Sequence, residues 1–352
     1  MPLFMLILLA SVSSFASPLE IQEAWSGVSS PLLMGKNYEL KFGQLPLKGK
    51  VNQPQHFWSG DYWAMVKGNI NYRWNSTEDY ELAAPSNSSQ LQQMSSADKA
   101  RLSPSEKFDL FNGRYDYPLK AEVKKITSYD AKSWEGICHG WAPASMNHNE
   151  PKPKIVTTPD GIKLYFGSAD IKAILSFYYA FPYQVADTHQ VGRRCDHHRF
   201  RNRDADCKQD LNAGAFHIIL TNRIALENQG FLADMNRFIQ VWNHPILSYS
   251  SEVLDSSSGA ERNSAPGTVR TVSVSTSVTY ADESINSWNT LIGTSDQKFE
   301  TKTMSYTLDL DANGAIIGGE WTSKNRPDFL WIKEKPTAFT GSYARLAELL
   351  ND

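Results

Sequence analysis

The chain holds 352 residues, with 35 Lys and Arg against 38 Asp and Glu, for a formal net charge of −3. The signs are interspersed with no basic stripe, which argues against nucleic acid or an anionic membrane as a partner. With 10 Trp and 15 Tyr, the chain is long and aromatic enough to pack one large or two ordinary domains.

The opening MPLFMLILLASVSSFAS carries an apolar run from Leu3 to Ala10. Small residues follow, with Ser14 and Ala16 at the subsites a signal peptidase inspects, so residues 1–16 read as a secretory signal. The run is too short to span a bilayer, and the expected location is secreted or periplasmic. Residues 17–120, rich in Ser, Asn, Gln and Pro, form an N-terminal region. It is either an activation segment lying over the site or an integral part of the fold. Within it, Ser103-Pro104-Ser105-Glu106 is a capping box with proline at the first helical position, and Asn112-Gly113 can end the helix.

In WEGICHGWAPASM (residues 134–146), Pro143 lacks an N–H and suits only a first turn, so a helix begins no earlier than about His139. Cys138 then stands at or just ahead of a helix N-terminus, where dipole and free N–H groups favour the thiolate. SADIKAILSFYYAF sets Ile171, Ile174, Leu175, Tyr178 and Tyr179 on one helical face. RRCDHHRFRNRDADC is a charged loop. AGAFHIILTNRI reads as a buried strand that turns at LENQG and returns through FLADMNRFIQVWNHPI. VRTVSVSTSVTY alternates with Val272, Val274, Val278 and Tyr280 on one face. MSYTLDLDANGAIIGGEW does the same with Met304, Tyr306, Leu308 and Leu310 up to an Asn-Gly turn. Residues 255–267 read as a loop. Helices first and antiparallel strands later make the chain α+β.

There are 3 cysteines. Cys195 and Cys207 flank the charged loop, and a disulfide closing it is worth ~3 kcal/mol in the chain-entropy model. That leaves Cys138 as the odd thiol, a nucleophile or a buried inert group. A rival reading makes Cys195, His197, His198 and Cys207 a zinc set. The ligand types suit the metal, but the adjacent histidines are awkward for one tetrahedral ion, and export favours the disulfide.

A cysteine nucleophile needs a base and a group to orient it. His217 is the one polar group entering an apolar run, preceded by small residues that allow close approach. If the chain returns as a hairpin, Asn243 lies ~10 Å along the strand from the point opposite His217, and Asp234 ~20 Å. Asn243 is therefore the first choice of orienting residue and Asp234 the second. The backbone N–H of Cys138 and the indole N–H of Trp134 are oxyanion donors. His139 points elsewhere at a helix start and reads as structural.

The stretches NINYRW, LSPSEKFDL, WEGICHGWAPASM, GIKLYFGSADIKAILSFYYA, NAGAFHIILTN, VWNHP and LDLDANGAIIGGEW resemble the transglutaminase elicitor family of oomycete plant pathogens and some bacteria. The likeness runs over residues 57–332. It implies a papain-like cysteine fold over residues 121–352 and protein-glutamine γ-glutamyltransferase activity, with Cys138 as nucleophile and His217 as base. It also implies protein substrates that expose Gln and Lys. In the family, VWN-Gln-Pro belongs to a peptide that plants perceive; here Trp242 and Pro245 are kept and His244 replaces the glutamine.

The thiol chemistry requires no cofactor. Asp309, Asp311, Asn313, Gly314 and Glu320 match the spacing of a calcium loop, although an Asn-Gly hairpin accounts for the same residues. The same thiol chemistry also fits a papain-like cysteine peptidase or a protein glutamine deamidase. A different class is a binding or signalling module in which the cysteine is incidental.

Overall fold

The structure, a computed structural model, describes residues 25–350 apart from 26, 54, 77–81, 184–188, 195–210 and 237–239. The secretory signal, the Cys195–Cys207 staple and the rival zinc set all lie outside the described residues. The helices are α1 Ser88–Gln93, α2 Ser96–Arg101, α3 Pro104–Phe111, α4 Pro118–Ile126, α5 Cys138–Asn147, α6 Ser168–Ala180 and α7 Ala213–Leu220. The strands are β1 Lys48–Lys50, β2 Lys154–Thr157, β3 Lys163–Phe166, β4 His189–Gly192, β5 Phe231–Asp234, β6 Asn243–Ser258, β7 Arg270–Ala281, β8 Phe299–Leu310, β9 Ile316–Trp321 and β10 Phe329–Ile332.

The molecule is thus a mixed helix and antiparallel-sheet fold. Strands run in the order β4-β10-β5-β6-β7-β8-β9, with β1 also paired to β6. The alternation expected in the last third holds. Val272, Val274, Val278 and Tyr280 of β7 are buried, as are Met304, Tyr306, Leu308 and Leu310 of β8. The two strands pair in register from Arg270↔Leu310 to Ala281↔Phe299. A period of two with one face covered pins that register, because a one-residue slip would turn every apolar side chain to water.

Local signals placed the helices well. The Ser103 hydroxyl accepts from Glu106 N, and the Glu106 carboxylate accepts from Ser103 N at 2.9 Å. Together they close the box that starts α3, and Gly113 ends it at φ +71°. In α6, Ile171, Ile174, Leu175 and Tyr179 are fully buried.

Four readings change. AGAFHIIL is helix α7, not a strand, so His217 is carried by a helix and not by the sheet. The Asn212 side chain accepts from Gly214 N at 2.8 Å and Ala215 N at 3.4 Å, an N-cap. All of Ala213–Leu220 is buried, so no polar face was present to reveal a helical period. The return path also differs: β5 pairs with β6, setting Asp234 directly opposite Asn243. Helix α5 starts at Cys138, which leaves Pro143 in its second turn, where the N–H it lacks would have served His139. Finally, β6 runs on to Ser258 through two register shifts, into the stretch read as loop.

Buried ion pairs tie the helices to the loops. Lys172 of α6 meets Glu150 at 2.5 Å and donates to Ser59 O at 2.8 Å. The same carboxylate accepts from Leu291 N and Ile292 N, so its desolvated charge is fully bonded. Lys107 of α3 likewise meets Asp170 of α6 at 2.6 Å.

Helix α5 crosses α6 closely at Gly140, where an added Cβ would lie 2.0 Å from Ser176 O. That atom is helix backbone and cannot swing away. Gly140→Ala is expected to lower the urea midpoint by the equivalent of about 1–3 kcal/mol with the slope unchanged, read by circular dichroism.

Candidate active site

The loop before Cys138 is held by the 57–65 segment. Ile137 N donates to Tyr62 O at 2.6 Å, and a Cβ on Gly136 would fall 2.4 Å from that same oxygen. Cys138 follows as the first residue of α5 and is a free thiol. Its sulfur lies 3.6 Å from Asn243 Nδ2 and 3.9 Å from Val241 O. Trp331 Nε1 donates to Asn243 Oδ1 at 2.8 Å. An indole N–H can only donate, so it fixes the amide: the carbonyl faces Trp331 and the NH₂ faces the sulfur. Asn243 therefore meets Cys138 as a donor, and the carbonyl that would orient an imidazole is committed to Trp331.

The helix start was expected to lower the thiol pKa. Instead it is raised, chiefly because burial strips water from the thiolate. Asn243 N–H groups oppose the rise, while the negative charges of Glu283 and Asp234 add to it.

His217 is fully buried. Its Nδ1 meets Tyr306 Oη at 2.8 Å, and Tyr306 is linked through Thr276 (2.7 Å) to Ser251 (2.8 Å). Phe42 covers the ring at 5.7 Å. Nε2 has no hydrogen-bond partner. Burial alone takes the imidazole down to about 3, so the ring is neutral at neutral pH. Among the described residues, no hydrogen bond or ring contact joins His217 to Cys138. Tyr306 as the partner of His217 was not foreseen, since in the sequence it is one more apolar-phase residue of a strand.

Trp134 is half-buried, with the Lys132 ammonium 5.7 Å from its ring centre. His139 packs edge-on to Phe181 at 5.8 Å, in keeping with a structural role. Asp234 is buried. One of its carboxylate oxygens accepts from Asn236 N and Trp242 N, and the other has no hydrogen-bond partner. Burial, with the charge of Asp328 adding to it, pushes this carboxyl up to about 7.

Beside the thiol, a cleft of about 330 Å³ is lined by Trp242, His244, Tyr280, Asp282, Glu283 and Lys302, among others. Tyr62 closes edge-on over Trp242 at 5.2 Å. Burial and the neighbouring Asp282 hold the Glu283 carboxyl far above the usual carboxylate range. The acidic wall went unread in sequence because Asp282 and Glu283 only join His244 through the β6–β7 pairing. At the proposed calcium stretch, Asp311 Oδ1 accepts from Asn313 N and Ala315 N, and Asp309 Oδ2 accepts from Ala265 N. Asp311 thus braces the Asn-Gly hairpin, and Asp309 ties the loop at Ala265 to β8.

Against known proteins, residues 32–351 match the family model described as Transglutaminase elicitor. No curated protein matches the chain. Among solved structures it is similar to the crystal structure of the GP42 transglutaminase from Phytophthora sojae, with TM-score 0.67 and 22% identity over 90% of this chain and 94% of that one. At that identity the likeness carries the fold.

Two measurements probe the geometry. Removing the Asn243 donor in Asn243→Ala is expected to raise the pH midpoint of Cys138 alkylation by iodoacetamide by about one unit; an unmoved midpoint would mean that the amide does not serve the sulfur. Asp234 binds its proton more tightly folded than unfolded, so its ionisation weakens the fold as pH rises from the ordinary carboxylate range to about 7. Asp234→Asn should therefore gain melting temperature relative to wild type at pH 8 and lose that gain by pH 4.

Proposed function

Because the chain belongs to the transglutaminase elicitor family, we propose that it is a secreted acyltransferase. In this reading it joins protein glutamine to lysine or another primary amine through a thioester on Cys138. The observation that carries it is the free thiol of Cys138 at the start of α5 with the Asn243 amide donating toward it. Among the described residues no helix is long and apolar enough to cross a membrane.

The thiolate attacks the side-chain carboxamide carbon, and the C–N bond breaks as ammonia leaves with a proton. The acyl group stays on sulfur as a thioester. A lysine amine then attacks that carbon, loses a proton and forms the isopeptide bond, which restores the thiol. Water in place of the amine gives deamidation. Thiolate formation is the demanding step, because the sulfur is desolvated and faces two carboxyls. Asn243 N–H donation is the term in its favour, and the backbone N–H of Cys138 with the Trp134 indole are the proposed oxyanion donors.

His217 is the proposed base, on the likeness of NAGAFHIILTN. That assignment rests on the likeness alone: the ring is fully buried, its Nδ1 meets Tyr306 Oη, and among the described residues no hydrogen bond or ring contact joins it to Cys138. In this reading Tyr306 takes the orienting place given first to Asn243 and second to Asp234. A papain-like arrangement over residues 121–352 and the absence of a required cofactor belong to the same proposal.

The experiment is incorporation of a fluorescent primary amine into a glutamine-rich protein, with peptide cleavage and ammonia release followed alongside. Wild type should incorporate the amine and Cys138→Ala should not. His217→Gln should keep its fold by circular dichroism and lose about 100-fold or more in rate. Cleavage without incorporation would make the protein a peptidase, and ammonia release without incorporation a deamidase.

A further inference from the structure

His244 on β6 and Asp282 and Glu283 just beyond β7 each offer one ligand atom, and these atoms all lie within 4.8 Å of one another. A small closure would bring all three to the ~2.0–2.2 Å at which imidazole nitrogen and carboxylate oxygen hold a dication. The imidazole is built in: His244 is only 7% exposed. Its Nδ1 faces the Ala281 carbonyl at 3.3 Å, and the Trp141 ring stands edge-on to it at 6.4 Å. The carboxyls are left crowded, since Glu283 Oε1 is buried with no hydrogen-bond partner, an orphan that calls for an explanation. The neighbouring cation does not supply one, because Lys302 Nζ donates to Met235 O at 2.9 Å.

We propose that His244, Asp282 and Glu283 form a site for a divalent transition ion of the zinc class, with its remaining position open to the cleft. One nitrogen and two carboxylates suit such an ion, whereas calcium asks for 6–8 oxygens. The ion removes negative potential from the cleft beside Cys138. The site rests on these donors and not on the transfer chemistry proposed above.

The test is equilibrium dialysis of chelator-stripped full-length protein against zinc chloride, with the metal measured by mass spectrometry. Wild type is compared with His244→Ala and with Glu283→Gln, which preserves shape. The expected result is one ion per chain in wild type and at least about tenfold weaker binding in each variant. No binding to wild type overturns the proposal. So does binding that survives both substitutions, as it would if Cys195, His197, His198 and Cys207 held the ion. A preference for calcium chloride over zinc chloride overturns it as well.

Discussion

The contact on which the site depends is the close crossing of α5 on α6, which Gly140 permits by having no side chain. With an added Cβ falling 2.0 Å from a helix carbonyl, any other residue would lift the start of α5 away from the helix beneath it. Cys138 lies two positions upstream, so its sulfur would move with that end. The loop ahead of it is equally constrained, because Gly136 packs on the Tyr62 carbonyl that also accepts from Ile137 N. Two glycines thus hold the thiol from both sides by letting backbone meet backbone.

The crossing would place a sulfur against nothing useful without the β5–β6 pairing. Asn243 opens β6, opposite Asp234 of β5, and Trp331 of β10 pairs with Leu232 of β5. Three adjacent strands therefore assemble the indole, the amide and the carboxyl in one place. Because the indole can only donate, it dictates which end of the amide turns to the sulfur. The result favours a thiolate by hydrogen bonding while burial and two carboxyls oppose it, so modest changes of charge in the cleft bear directly on reactivity.

A second polar system lies on the same sheet. His217, Tyr306, Thr276 and Ser251 form a chain of buried groups across α7, β8, β7 and β6. The linked hydroxyls let a neutral imidazole sit in an apolar interior with one nitrogen satisfied. Gly214 makes this possible by allowing α7 to approach the Gly318 carbonyl of β9, 2.4 Å from where its Cβ would stand.

The sequence by itself determined the elements whose signals are local. The capping box of Ser103–Glu106, the apolar face of α6, the Asn-Gly turn and the two alternating strands β7 and β8 could all be read from neighbours a few residues apart. It also singled out Cys138 as a thiol near a helix start, because cysteine count and a nearby proline are one-dimensional facts. Tertiary structure decided the rest. Ala213–Leu220 is buried on every side, so no polar phase existed to tell helix from strand, and the Asn212 cap settled it. The partner of Asn243, the rise in the Cys138 pKa and the meeting of His244 with Asp282 and Glu283 depend on which strands lie side by side and how much water they exclude. Those are sums over residues from tens to about a hundred positions apart in the chain, and no local pattern contains them.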